Sequence, residues 1–404
     1  MKRLHVGGLA EVYLAVAGAK GFEQAVAIKK LLSAAAHDEE FLTIFLDEAR
    51  ISVQLSHPNI VHVLEVGSED ETYFLAMEFV AGRTLADLAA RLRPDDLALR
   101  VPLAAFVVSK IAEGLDSASR CTDGQGVELN IVHRAVSPGN VLVSYSGEVK
   151  LLDFGTARAS NRAQHTQVGM LKGKLGYLSP EQLRGAEHLD RRADLFAAGV
   201  VLHELLTGER LFPDGSILQS LERLNDRQVP PPSQKNPHVP PELDAVVARA
   251  LADQPDERFQ WGRELSAALG PFITGAVRSS AELASLLKDR FAAEFVSDQE
   301  LLRRALASPG PALPEPRLSA PGRPRPQAVT PGEPEPRLSA PSRPPSRTAL
   351  PRVESDATRA AFPVLAAGET TSPGSAAAPG RAPSRSSLPP VAAPRATPAR
   401  PASR

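Results

Sequence analysis

Residues 133–155 decide how this chain reads: His133-Arg134-Ala135-Val136-Ser137-Pro138-Gly139-Asn140, an apolar run at Val141–Val143, a second at Val149–Leu152, and then Asp153-Phe154-Gly155. The two runs have the length and β-branched content of short strands, and Ile131-Val132 reads as a third. Asn140 therefore stands just before one strand and Asp153 just after another. Downstream the pattern is mostly helical, over 190–208, 215–225, 241–252 and 262–269, as it is upstream at 84–92 and 102–120. Pro and Gly punctuate the connections.

The first eighty residues differ. A Gly7-Gly8 turn leads into an alternating strand carrying Val12, Leu14 and Val16, and Gln24–Leu32 reads as a second strand. Residues 38–55 read as a helix whose Phe41, Ile44, Phe45, Ile51 and Leu55 share one face at helical spacing. Glu48 falls on that same face, and a carboxylate on an apolar stripe needs a buried partner. Two apolar segments follow, Ile60–Val66 and Thr72–Phe79, and Gly82 breaks the chain. Beyond Pro271 a helical stretch over 282–306 reads as a small appended unit, with Ser279 and Glu282 spaced for a capping box.

Composition divides the chain near residue 309. Of 37 Pro among 404 residues, 23 lie in the last 96. That tail holds 13 Arg, no Lys and 6 acids, a charge of +7, so the body carries −8 within a total of −1. With Phe362 as its single aromatic residue, the tail lacks the apolar surface to offset its ordering entropy and is expected to be disordered. It repeats Pro314–Pro321 at Pro334–Pro341, a duplication within a linker or a repeated site at Ser319 and Ser339. One cysteine, Cys121, excludes an intramolecular disulfide framework and a cysteine-rich zinc site. No run approaches a membrane span, and Met1–His5 lacks the apolar segment of a secretory signal. A mildly acidic body argues against nucleic-acid binding. The expectation is a soluble, cytoplasmic protein. No P-loop motif occurs, and His203-Glu204 fails as a zinc-protease motif because Thr207 holds the second histidine's place.

The quoted stretch, taken with Val26-Ala27-Ile28-Lys29 upstream and Leu178-Ser179-Pro180-Glu181 downstream, resembles the eukaryotic-type protein kinases, closest to bacterial Ser/Thr kinases with a valine-serine-proline catalytic loop. The resemblance spans about residues 4–270. It implies an α+β, bilobal protein-kinase-like fold: a small β-rich N-lobe (about 1–80) and a large helical C-lobe (about 81–270), then a helical extension (271–308) and the disordered tail (309–404). It implies ATP and Mg²⁺ as cofactors and a protein as substrate or signalling partner. Lys29 would reach the α- and β-phosphates and Glu48 would hold it extended, while Lys30 points the other way. Asn140 and Asp153 would supply hard oxygen ligands to Mg²⁺. Met77-Glu78-Phe79-Val80 resembles the hinge, with the backbone of Glu78 and Val80 at the adenine edge and Ala27, Val12 and Leu142 sandwiching the ring. His133 and Arg134 open the catalytic loop, Asp194 would brace its backbone, and Glu181 and Arg258 resemble a buried structural pair. Arg134 is placed to bind a phosphate in the activation segment, for which Thr166 and Ser160 are the acceptors.

The pattern breaks in four places. The family has Asp third in His-Arg-Asp, where it accepts the proton of the substrate hydroxyl; here Ala135 offers a methyl. Ser137 replaces a lysine that neutralises the γ-phosphate, and Lys174 stands where most relatives have Thr, so Lys174 is expected to supply the missing ammonium. The three glycine places of the phosphate loop hold His5, Gly7 and Ala10, and only Met1–Leu4 precede them to build the first strand, which is expected to be largely missing. Two functions follow from the resemblance: a Ser/Thr kinase with weakened transfer, or an inactive pseudokinase that binds nucleotide and acts as a scaffold. The Pro/Arg-rich tail could dock a partner in either case.

Overall fold

Alternating apolar and polar residues in the first eighty positions build one antiparallel sheet. In the computed structural model its strands are β1 (Lys2–Val6), β2 (Ala10–Ala17), β3 (Gln24–Leu31), β4 (Val63–Glu69) and β5 (Thr72–Glu78), in spatial order β1-β2-β3-β5-β4. The structure describes residues 2–307 except 8–9, 19–20, 33–37, 70–71, 155–174, 187 and 213–228. Gly8, Ser160, Thr166, Lys174, the expected helix at 215–225 and the tail with its repeat lie outside the described residues.

The first strand, expected to be largely missing, is formed. His5 and Val6, assigned from the sequence to the phosphate loop, pair instead with Val12 and Glu11 as the end of β1. The turn is closed by Gly7 N–H donating to Ala10 O at 2.8 Å. Helix α1 (Glu39–Ser52) lays Phe45 and Ala49 against Ala27, Leu31 and Leu75 of the sheet to form the small-lobe core. It stops short of Leu55, which joins the large-lobe core instead.

Gly82 does not break the chain. It opens β6 (Gly82–Thr84), the edge of a three-stranded sheet completed by β7 (Val141–Ser144) and β8 (Val149–Leu151). A side chain at Gly82 would place a Cβ 2.1 Å from Val143 O, so glycine here permits close approach of two backbones. Thr84 and Asp87 then form a reciprocal capping box that starts α2 (Leu85–Arg91). Ile131-Val132 is not a strand; the two residues are buried in irregular backbone that leads into the catalytic loop.

The large core is organised by two long helices, α3 (Leu97–Ser119) and α5 (Arg191–Thr207), with the one-turn α4 (Pro180–Leu183) before α5. Both long helices are apolar on most of their circumference because other elements cover them on several sides. Helices α6 (Pro241–Ala250) and α7 (Gly262–Leu269) pack against them. No helix among the described residues is long and apolar enough to cross a membrane. The stretch expected as one helix over 282–306 is two, α8 (Ser280–Arg290) and α9 (Ala292–Ala307), joined at Phe291. The Ser279 capping box is not formed: its hydroxyl donates to Glu282, whose Oε2 takes the Arg278 N–H at 2.5 Å.

Candidate active site

Strand register places four of the expected residues, Val12, Ala27, Lys29 and Met77, in two neighbouring rows. Val12 pairs with Lys29, which pairs with Leu75, and Leu14, Ala27 and Met77 form the neighbouring row. Side chains alternate along β3, so Ala27 and Lys29 share a face while Lys30 is exposed on the other. That shared face roofs a cavity of about 960 Å³. Gly7, Val12, Ala27, Lys29, Glu48, Met77, Glu78, Val80, Arg134, Ala135, Ser137, Asn140, Leu142 and Asp153 all line it.

Lys29 is the centre of the charged part. Its Nζ donates to Glu48 Oε1 at 2.6 Å and to Asp153 Oδ1 at 2.7 Å. Burial pushes the ammonium down, but the neighbouring Asp153 and Glu48 charges outweigh it and Lys29 is held above the ordinary lysine range. Burial pushes the Glu48 carboxyl up, and Lys29 offsets this only in part because its single charge is shared between two carboxylates. With both carboxylates ionised the cluster has one negative charge in excess, which favours a cation beside Asp153.

The catalytic loop is held from below by Asp194. Its two carboxylate oxygens accept the backbone N–H groups of His133 and Arg134, each at 2.7 Å. Burial pushes the Asp194 carboxyl up to about 7 against these two bonds, which favour the anion. His133 is fully buried; its Nδ1 accepts the Ala135 N–H at 3.3 Å, so Nε2 carries the proton and donates to Leu152 O at 2.8 Å. Its ring stacks on Phe154 with centroids 4.5 Å apart. Asn140 Nδ2 donates to Ala135 O at 2.8 Å, fixing the loop's far end. Arg134 (φ 66°) and Asp153 (φ 58°) both adopt the left-handed region, at a cost of about 1–3 kcal/mol each. The bonds from Asp194 and Lys29 hold them there.

Comparison with known proteins fits this arrangement. The protein kinase domain family matches residues 1–268. The chain belongs to the protein kinase family. It is 38% identical to the tyrosine-protein kinase MasK of Myxococcus xanthus over 305 residues, 74% of this chain and 47% of that protein. It is 35% identical to the serine/threonine-protein kinase PrkC of Bacillus subtilis, over 65% of this chain and 38% of that one. Likeness to the serine/threonine-protein kinase PknL of Mycobacterium tuberculosis is 36%, covering 64% of each. The chain thus spans about half or less of the first two relatives. Among solved structures, a double mutant of the Mycobacterium tuberculosis PknI kinase domain matches with a TM-score of 0.50 and 29% identity, covering 68% of this chain and 94% of that domain. The kinase is therefore of the eukaryotic type found in bacteria, a family that uses ATP and Mg²⁺ and acts on protein substrates.

The remaining expected residues also find partners. Arg258 and Glu181, 77 positions apart, form a bidentate pair at 2.7 and 2.8 Å. At Ala135 the kinase presents only a methyl to the cavity. Among the described residues the buried Ser137 Oγ has no hydrogen-bond partner. Sequence reasoning missed Lys150, whose Nζ meets Glu78 Oε1 at 2.9 Å and ties the hinge to β8. Its signal was a lysine inside the otherwise apolar run Val149–Leu152. It also missed Arg83, Thr84, Asp87, Asp298 and Leu301, which complete the cavity wall. For the last two no local signal exists, because they lie far along the chain.

Proposed function

We propose that this kinase binds ATP with Mg²⁺ in the interlobe cavity and transfers the γ-phosphoryl group to a protein hydroxyl at a rate lowered by the absence of a catalytic base. The observation that carries the proposal is the assembled Lys29–Glu48–Asp153 cluster beside the Ala135 methyl. Positioning and charge neutralisation make up most of phosphoryl transfer, and the cluster supplies both. Loss of a general base costs about 10²–10⁴ in rate.

The donor set suits magnesium. Among the described residues no three His, Cys, Asp or Glu side chains gather as a metal cage. Mg²⁺ takes one or two protein oxygens with substrate phosphates rather than such a cage, and Asp153 with the Asn140 amide oxygen fits that need. When bound, the ion would neutralise phosphate charge. Lys29, kept protonated by its two carboxylates, is suited to the α- and β-phosphates. Glu78 already donates its backbone N–H to His62 O, leaving its carbonyl and the Val80 backbone to meet the adenine edge. The Ser137 hydroxyl cannot replace a lysine's charge; supply of that charge by Lys174 is part of the same proposal.

Radiolabelled transfer to a generic protein acceptor tests it, with hydrolysates separated for phosphoserine, phosphothreonine and phosphotyrosine because relatives of both classes exist. Ala135→Asp is expected to raise transfer by about 10²–10⁴, and Lys29→Met to abolish it. Strong wild-type transfer unchanged by Ala135→Asp refutes the proposal. Tight nucleotide binding with no transfer from either form favours the second reading, a nucleotide-binding scaffold, for which the Ala135 methyl is the supporting observation.

A further inference from the structure

Helices α8 and α9 lie beyond the 268 residues of the kinase-domain match. The likeness to MasK covers 74% of the 404 residues, more than those 268, so it takes in part of this extension. The extension is seated on the large lobe. Gly147, at φ 85° in the β7–β8 turn, receives the start of α8 so closely that a Cβ would stand 1.7 Å from Ser280 O. At the other end of α8, Arg290 Nη2 donates to both oxygens of Asp96, at 3.0 and 2.9 Å.

Helix α9 then leaves the large lobe and packs on β2 and β3 of the small one. Of its half-buried positions, Glu294, Phe295, Asp298, Leu301, Leu302 and Ala305 follow helical spacing along one face, Glu300 lies off it, and Val296 is 67% exposed on the other side. The inward face meets specific partners near the hinge. Phe295 stacks edge-on against Tyr145 with centroids 4.8 Å apart. Asp298 Oδ2 is held by Arg83 Nη1 at 2.6 Å and by the Tyr145 hydroxyl at 3.1 Å. Arg83 is three residues past Val80, so this anchor sits where the hinge enters the large lobe. Both Asp298 and Leu301 line the cavity.

We propose that α9 is a wall of the nucleotide site: Leu301 closes the hinge-side mouth over the base and sugar of an adenine nucleotide, and Asp298 fixes α9 there through Arg83 and Tyr145. The inference rests on the nucleotide reading above and adds a binding determinant from outside the kinase domain. The helix touches both lobes and lines the hinge side of the cavity, so on this inference the wall acts mainly on the rate of release.

The test uses the full chain and a fluorescent ATP analogue with Mg²⁺, followed by stopped-flow. Leu301→Glu is expected to weaken affinity about ten-fold, through faster dissociation, since it sets a charge on the apolar wall that covers the base and sugar. Val296→Glu, on the outward face, is expected to leave affinity within two-fold. Should Leu301→Glu fail to fold by thermal melting, Leu301→Ala is read in its place, with an expected loss of about three-fold. Wild-type binding with the Leu301 variant within two-fold of it overturns the inference and leaves the nucleotide reading standing. A wild-type chain that binds no analogue, as a Lys29→Met chain is expected to behave, overturns both.

Discussion

Replacing Arg258 with methionine tests how the activation-segment end of the large lobe is held. The guanidinium is 0% exposed, and each of its five N–H donors has an acceptor. Nε reaches Ala252 O at 2.8 Å, Nη1 reaches Glu181 Oε1 at 2.8 Å and Arg192 O at 3.0 Å, and Nη2 reaches Glu181 Oε2 at 2.7 Å and Asp253 O at 2.8 Å. Methionine keeps the apolar stem but removes all five, and with them the guanidinium that lies over the Phe196 ring, 4.9 Å from its centroid. Three part-buried carbonyls lose a bond worth about 1 kcal/mol each. Glu181, with 17% of its side chain exposed, is left as a poorly hydrated charge. The expected cost is about 4 kcal/mol, within the range of about 3–5 for breaking a buried pair from one side. The double variant Arg258→Met with Glu181→Leu removes the stranded carboxylate and is expected to recover about 1–2 kcal/mol of that loss. Trp261, the single tryptophan of the chain, lies between the guanidinium groups of Arg120 and Arg191 at 3.8 and 3.6 Å. It reports urea unfolding of this region, with circular dichroism as a second probe. A cost below about 1 kcal/mol for Arg258→Met at unchanged denaturant dependence, or a double variant worse than the single, would refute the reasoning.

Two further expectations concern the frame of the site. Asp194, raised by burial to about 7, keeps its proton in the folded chain between pH 4 and 7 while the unfolded chain has released it. Its contribution is therefore full below about pH 4 and lost as pH rises towards 7, at up to about 1.4 kcal/mol per pH unit. Glu48, also raised by burial, adds to the same slope. His57 and His203, both lowered by burial, oppose this slope in the same range, so the comparison is between variants: in urea unfolding between pH 5 and 6.5, Asp194→Asn should remove a falling contribution of about one proton, and an unchanged slope contradicts the assignment. Gly82→Ala forces a Cβ to within 2.1 Å of Val143 O, so β6 and β7 must separate, at about 1–3 kcal/mol. Thermal melting at neutral pH measures it, and a neutral result would mean that the two strands give way freely.

Much of the site was legible because its chemistry contradicts its surroundings. Glu48 stood out as a carboxylate on the apolar face of a helix, and a buried carboxylate needs a cation. The family resemblance of Val26-Ala27-Ile28-Lys29 singled out Lys29, and strand alternation set Lys30 on the other face. Asn140 and Asp153 were likewise marked by the resemblance, each standing at the end of a short apolar run. Gly82 was misread because a glycine before a helix signals a turn equally well; that its missing Cβ admits Val143 depends on a strand sixty residues away. The first strand was misread for a related reason. His5 and Val6 were counted as loop from the phosphate-loop spacing, but pairing with Glu11 and Val12 draws them into the sheet.

Local periodicity and residue chemistry by themselves determined a strand-rich lobe, a helix-rich lobe, and the residues with charges to place between them. Those are properties of neighbours along the chain. The Glu48–Lys29 and Glu181–Arg258 pairs were expected through the family resemblance; the tertiary structure alone decided that Asp153 shares the Lys29 ammonium, that Lys150 ties down the hinge and that Arg83 and Tyr145 hold Asp298. It also decided that α9, readable only as an amphipathic helix, folds back to complete the cavity with Leu301 and Asp298. An apolar stripe states that a helix must be covered, but the stripe carries no address. The covering surface is set by the lobes once they have packed.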